Sequence, residues 1–178
     1  MSDFPTGPGK HVLERVRRAQ QHHLAPKTTE SSQQQYLTFR LNQEWYALPV
    51  YQLVEVLAPP KITRVPSVPD HILGVTNFRG EVLSVIDVKR FFGLPQSEGR
   101  TEQTIIVVEE DEVRTGLLVD QIGDLVSLTS KDLSEEPILA GTSQRAFFLG
   151  AAHWGEVLLS IIDLDGILQS EGMNSRQG

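Results

Sequence analysis

Two aspartates, Asp87 and Asp163, each close an apolar, strand-like run. A matched pair of carboxylates is the minimum equipment for acid–base chemistry at a glycosidic or ester bond. A hydrolase or glycan-active enzyme would need their oxygens about 5–10 Å apart across a cleft. The same residues have a structural use. Each precedes a short helix-compatible stretch, Val88 to Phe92 and Leu164 to Leu168, and aspartate is favoured at a helix N-cap because its carboxylate satisfies backbone N–H groups that lack partners. Capping is therefore the expected role.

The other candidates for chemistry lead to bland readings. Glu109-Glu110-Asp111-Glu112 lacks the alternating ligands and central glycine of a calcium loop and reads as a solvated hairpin tip. His11, His22, His23, His71 and His153 form no helical pair suited to a metal. Gly7-Pro8-Gly9-Lys10 has neither the preceding strand nor the Ser/Thr of a phosphate loop, and no serine has the Gly-flanked setting of a nucleophile elbow. With no cysteine among 178 residues, a thiolate nucleophile, a thiolate metal site and a disulfide framework are all excluded. No cofactor is implied. A small-ligand β domain would need an enclosed apolar pocket with convergent polar groups.

Charge narrows the partners. The net charge is −7, and residues 1–35 carry five Lys/Arg against three Asp/Glu, which leaves 11 against 20, or −9, for the rest. A body so acidic repels a phosphate backbone, so nucleic acid is not expected. No apolar run approaches a membrane span and no secretory apolar region is present. The expectation is a cytoplasmic protein without direct membrane insertion.

The elements that must position any site are mostly strands. Residues 1–35 read as an N-terminal extension: Val12, Leu13, Val16, Ala19 and Leu24 recur at roughly helical spacing within 10–24, and the polar run from Pro26 to Gln35 reads as a linker. The fold is expected over 36–170, as two subdomains at about 36–92 and 104–164, with a disordered tail at 171–178. Tyr36 to Leu41 and Trp45 to Val50 make a hairpin, repeated by Thr104 to Val108 and Val113 to Val119. Short strands at this spacing predict an all-β fold of two small five-stranded antiparallel β-barrels, preceded by a short N-terminal helix and linker. The closing segments after Asp87 and Asp163 are candidates to swap between units.

The repetition is explicit in the text of the chain. Gly80-Glu81-Val82-Leu83-Ser84-Val85-Ile86-Asp87 returns as Gly155-Glu156-Val157-Leu158-Leu159-Ser160-Ile161-Ile162-Asp163 with one residue inserted, and Leu48 to Val56 is echoed by Leu117 to Leu125. Residues shared by both copies serve the fold; those in one copy only are candidates for specialised work. The copies part at Thr76-Asn77-Phe78-Arg79-Gly80, set against Ala151-Ala152-His153-Trp154-Gly155. Asn77 and Gly80 suit positive φ at a tight turn, but nothing in such a turn requires an arginine. Arg79 has two readings, a surface salt bridge and an interface residue. Trp45 and Trp154 are expected to pack over a barrel end.

Gly74-Val75-Thr76-Asn77-Phe78-Arg79-Gly80, followed by Val85-Ile86-Asp87, Gly116 to Asp120 and Val126-Ser127-Leu128, resembles the CheW-like family of chemotaxis coupling proteins over about 36–170. The resemblance implies two five-stranded barrels, no enzymatic activity, and an adaptor that binds the cytoplasmic tip of a chemoreceptor and the regulatory domain of a CheA-type histidine kinase at membrane receptor arrays. Carried over by position, it implies a partner-binding surface of Leu53, Glu55, Asn77 and Arg79, and a receptor seat in the groove between subdomains. The additional 35 N-terminal residues and Phe78, where an aliphatic residue is common, depart from the family's pattern.

Overall fold

The computed structural model describes residues 33–96, 103–134 and 144–175, with Glu14, Arg15 and Arg18 helical and exposed. The rest of the expected N-terminal helix, and the linker up to residue 32, lie outside the described residues. The strands are β1 (Gln34–Leu41), β2 (Glu44–Pro49), β3 (Leu53–Leu57), β4 (Ile72–Phe78), β5 (Glu81–Asp87), β6 (Thr104–Glu110), β7 (Val113–Val119), β8 (Gln121–Leu128), β9 (Leu133–Ser134), β10 (Phe148–Trp154) and β11 (Val157–Ile162). Helices α1 (Val88–Phe91) and α2 (Leu164–Ser175) follow β5 and β11. Residues 171–175, expected in the tail, continue α2; no proline stops it.

The all-β, two-subdomain expectation holds, with sheets of six and five strands in place of two five-stranded barrels and a connectivity the sequence did not announce. One sheet runs β8-β1-β2-β11-β10-β9 and the other β3-β6-β7-β5-β4. The first sequence unit gives its hairpin β1–β2 to the sheet of β8–β11, and the second gives β6–β7 to the sheet of β3–β5. Sequence units and sheets therefore do not coincide. What changes places is the hairpins, and the segments after Asp87 and Asp163 are α1 and α2. The exchange creates one parallel pair per sheet, β5 with β7 and β11 with β2, so neither sheet is purely antiparallel.

Both units have the same local design. A kink in the β4–β5 pairing between Ile72 and Gly74 recurs between Phe148 and Gly150, and Asp87 N–H donates to His71 O as Asp163 N–H does to Phe147 O, each at 2.8 Å. Asp87 Oδ1 accepts Arg90 N–H at 3.1 Å and Asp163 Oδ1 accepts Gly166 N–H at 3.2 Å. Both carboxylates are thus helix caps. The offset is a constant 76 residues from Gly74/Gly150 to Asp87/Asp163, so the structure needs no insertion. The repeated Gly-Glu-Val text is one residue out of register.

Because β6 has a core on both faces, Thr104 to Val108 is buried throughout and reads as an unbroken apolar run rather than an alternating one. Ile105 and Val107 enter the core of their own sheet with Phe78, Leu83 and Val85. Ile106 and Val108 face the junction between sheets, together with Leu37, Phe39, Leu48 and Ile162. Aromatic rings fill that junction: Phe39 and Tyr46 stack 5.7 Å apart, Tyr46 and Phe92 stack 6.2 Å apart, and Phe92 and Phe148 meet tilted at 5.0 Å. Each such pair adds about 0.5–1.5 kcal/mol beyond area burial.

Where the chain crosses from β7 to β8, Asp120 is buried. Its Oδ1 lies 2.7 Å from Lys89 Nζ, with both side chains under 5% exposed, and its Oδ2 accepts Asn42 N–H at 2.7 Å. Removing one member of such a pair strands a charge. We expect Asp120→Ala to lower unfolding free energy by about 3–5 kcal/mol, and Lys89→Met with Asp120→Leu to recover most of it; urea unfolding of the three proteins checks this. Gly74 gives a second expectation. At φ 140° an added Cβ would lie 2.1 Å from Thr63 O, whereas Gly80, at φ 84°, has open space. Gly74→Ala should cost about 3 kcal/mol and Gly80→Ala about 1 kcal/mol in the same measurement.

Candidate functional site

The β4–β5 hairpin closes on the pair Phe78 and Glu81, so its loop is Arg79-Gly80. Their φ angles are 52° and 84°, the two positive values of a type I′ hairpin turn. Asn77, expected at positive φ, stays in the strand, and its Oδ1 accepts Gly80 N–H at 3.2 Å. The residue bearing the strained conformation is Arg79. Its structural counterpart, by the constant offset, is Gly155 at φ 61°, not Trp154. Holding a non-glycine side chain there costs about 1–2 kcal/mol, a cost the second copy avoids.

The arginine is held in the open. Its guanidinium pairs with Glu55 on β3 and lies 5.0 Å from the Phe78 ring centroid, while 63% of its side chain remains exposed. Glu55 is 30% exposed. β3 and β4 are the two outer strands of their sheet, and the chain between them curls back so that Thr63 and Val75 exchange two 2.8 Å backbone bonds. Thr76 Oγ1 donates to Lys61 O at 2.9 Å in the same seam. This curling is what brings Glu55 to Arg79. Leu53 does not reach the surface: at 2% exposure it belongs to the junction core, because the register of the β3–β6 pairing shifts between Leu53 and Glu55 and turns the two side chains, two residues apart, to opposite faces. The exposed set is Glu55, Asn77 and Arg79.

A groove of about 410 Å³ opens between the outer face of the same sheet and α2. Ile72, Ile86 and Val113 form its floor and Leu168 its wall, with Ser84 and Thr115 between them. Val82, 78% exposed, is the next residue on the same face of β5 before Ser84, which pairs with Thr115 of the parallel strand β7. The rim is acidic, with Glu110 and Asp111 from the β6–β7 tip and Asp165 from α2; Arg114 is drawn to Glu81 at 3.0 Å and to Glu109. Burial first, then the charges of Glu110 and Asp163, push the nearby Tyr51 phenol above its ordinary range. The site is an apolar trough under a negative potential.

Three comparisons with known proteins agree. A profile of the CheW-like domain matches residues 35–172. The chain belongs to the CheW-like family. It is 32% identical over 145 residues to the chemotaxis protein CheW of Klebsiella aerogenes, covering 81% of this chain and 87% of that protein, and 30% identical over 115 residues to protein PilI of Pseudomonas aeruginosa, covering 65% of each. The crystal structure of the scaffolding protein TtCheW from Thermoanaerobacter tengcongensis superposes with a TM-score of 0.69 at 29% identity, covering 75% of this chain and 90% of that one. Like its relatives, this CheW-like chain is a scaffold of a chemosensory pathway.

Sequence reading missed part of this CheW-like surface. The groove residues Ser84 and Ile86, with Val82 before them, alternate with buried Leu83 and Val85, a legible signal, but Ser84 meets Thr115 only through the parallel pairing that the hairpin exchange creates. The Lys89–Asp120 pair is likewise invisible until the fold brings its members together. Trp45 packs partly buried on the core of its own sheet, whereas Trp154 stays 37% exposed.

The energetics of Arg79 are close to balanced. Glycine would relieve about 1 kcal/mol of backbone strain while losing an exposed ion pair of about 0–1 kcal/mol and a cation–π contact of about 0.5 kcal/mol. Arg79→Gly should therefore shift unfolding free energy by less than about 1 kcal/mol, measured by urea or thermal unfolding. A loss above about 2 kcal/mol would make Arg79 a structural residue.

Proposed function

We propose that this scaffold is non-enzymatic and couples chemoreceptors to a CheA-type histidine kinase, in chemotaxis or type IV pilus motility. The kinase regulatory domain docks on Glu55, Asn77 and Arg79, and the receptor's helical cytoplasmic tip lies in the apolar groove floored by Ile72, Ile86 and Val113. The protein then works in the cytoplasm, held at membrane receptor arrays by its partners; no described helix is long and apolar enough to cross a membrane.

One observation carries the reading. An arginine occupies a left-handed position that the duplicated turn gives to glycine, and its side chain is displayed rather than buried. A residue whose contacts do no more than offset the strain of its own backbone gives folding no net gain, and is kept for what it meets outside the chain. The contact chemistry suits an adaptor. Arginine, oriented by Glu55 and the Phe78 ring, offers a rigid planar donor array, while the groove supplies non-directional apolar area to a helix. Asp87 and Asp163 each use one carboxylate oxygen, Oδ1, to cap a helix.

Titration calorimetry with a receptor-tip fragment and a kinase regulatory-domain fragment tests the two surfaces separately. Arg79→Gly should weaken the kinase fragment by about 1–3 kcal/mol and leave the receptor tip unaffected. Val113→Asp should do the reverse. Unchanged binding of both fragments by both variants would overturn the assignment.

A further inference from the structure

Resting on the reading of the groove as the receptor seat, we infer that the N-terminal extension of this chain docks its amphipathic segment, residues 12–24, into that same groove and competes with the receptor for it. Three independent observations converge on this occupant.

The first is shape and polarity. At 3.6 residues per turn, Val12, Leu13, Val16, Ala19 and Leu24 fall on one stripe of a helix, and Glu14 and Arg18 fall opposite. Glu14, Arg15 and Arg18 are helical, and all three are exposed, which suits residues off the apolar stripe. The groove offers the complement: Ile72, Val113 and Leu168 line it over the buried Ile86, with Val113 52% exposed and Val82, on the same face of β5, 78% exposed. Apolar positions at i, i+3, i+4 and i+7 are what a helix needs to lie in such a trough.

The second is charge. On that helix Arg15 and Arg17 flank the stripe on its two sides. The groove has carboxylates on its two sides, Glu110 and Asp111 at the β6–β7 tip and Asp165 on α2. The extension is the one basic stretch of an otherwise acidic chain. Its charges meet the rim while its stripe meets the floor.

The third is reach. The chain enters the body at Gln34, and Tyr36 pairs with Pro49. Pro49 leads directly into Val50–Gln52, where Gln52 Nε2 donates to Glu110 on the groove rim at 2.7 Å. Residues 25–33 form a nine-residue tether, which spans up to about 30 Å when extended. A tether of that length holds its cargo at an effective concentration of the order of millimolar. Even a weak intrinsic affinity is then enough to occupy the groove for part of the time, and the apparent affinity of a competing helix falls by the fraction of grooves left open.

Because the natural chain has no cysteine, a pair of introduced thiols reports the docking without background. In the full chain, Val16→Cys with Val113→Cys should form an intramolecular disulfide under mild oxidation at least about tenfold faster than Val16→Cys with Leu133→Cys on the edge strand of the other sheet, judged against the tether's concentration effect. Adding Leu13→Asp should erase the difference, and raising salt should reduce it, since exposed charges are screened over about 8 Å at physiological ionic strength. Equal rates for the two pairs, or disulfides only between molecules, overturn self-docking. Titration of the receptor-tip fragment into Leu13→Asp should show binding about 3–10-fold tighter than in the natural chain. Selective cross-linking with no change in receptor affinity overturns the competition and the receptor-seat reading while leaving self-docking in place. Absent selectivity, with Val113→Asp still weakening the receptor, overturns self-docking alone.

Discussion

The exchange of hairpins between the two sequence units is the constraint on which the rest of this molecule depends. A two-stranded hairpin is at best marginal alone, and here neither hairpin remains with its own unit. β1–β2 is gripped by β8 on one side and β11 on the other, and β6–β7 by β3 and β5. Each sheet is complete only when both halves of the chain have folded. The cores follow from this. Leu37, Phe39 and Leu48 from the first hairpin meet Ile106, Val108 and Leu117 from the second in one junction cluster, so the sheets cannot separate without exposing the largest apolar cluster among the described residues.

The exchange requires two crossings, and the copies pin them differently. From β2 to β3 the chain turns through Val50–Gln52, tied by the bond from Gln52 to Glu110. From β7 to β8 it turns at Asp120, tied by the buried bonds to Lys89 and Asn42. At the position matching Asp120 the first copy has Tyr51, 53% exposed, and at the position matching Lys89 the second has Asp165 on the groove rim. Divergence has turned one crossing into an interior ionic anchor and the other into part of an open, negatively charged surface. The same duplicated framework therefore has one closed end and one available end.

How far the sequence reveals this follows from the range of the interactions. Strand identity, the hairpins and the aspartate caps were legible, because alternation, turn residues and N-cap preference act within a few residues. The hairpin exchange was not, since a strand's own pattern says which face is apolar but not which strand lies beside it. The apparent insertion between the copies has a similar origin: Gly80 and Gly155 both serve tight turns, yet they occupy neighbouring positions of those turns, and the eye aligns the letters. Strand register corrects it. Leu53 and Glu55 read as one patch in sequence, but a kink in the β3–β6 pairing between them leaves Leu53 in the core and Glu55 at the surface.

That corrected register is what gives Arg79 its meaning. Set against Trp154, it would be one large side chain replacing another at a hairpin end. Set against Gly155, it is a bulky residue at a position where the backbone prefers none. Exposed ion pairs return at most about 1 kcal/mol, which offsets the strain without exceeding it, so folding alone is indifferent to the arginine. The pair with Glu55 nonetheless fixes the guanidinium's direction, restricting in advance the rotamers of a side chain that would otherwise lose about 2 kcal/mol of entropy on binding. Preorganisation of this kind strengthens an association without adding a contact. It also accounts for the curled seam of Thr63 and Val75 with its mandatory Gly74, which adds little to the junction core but holds β3 where its carboxylate can aim the arginine outward.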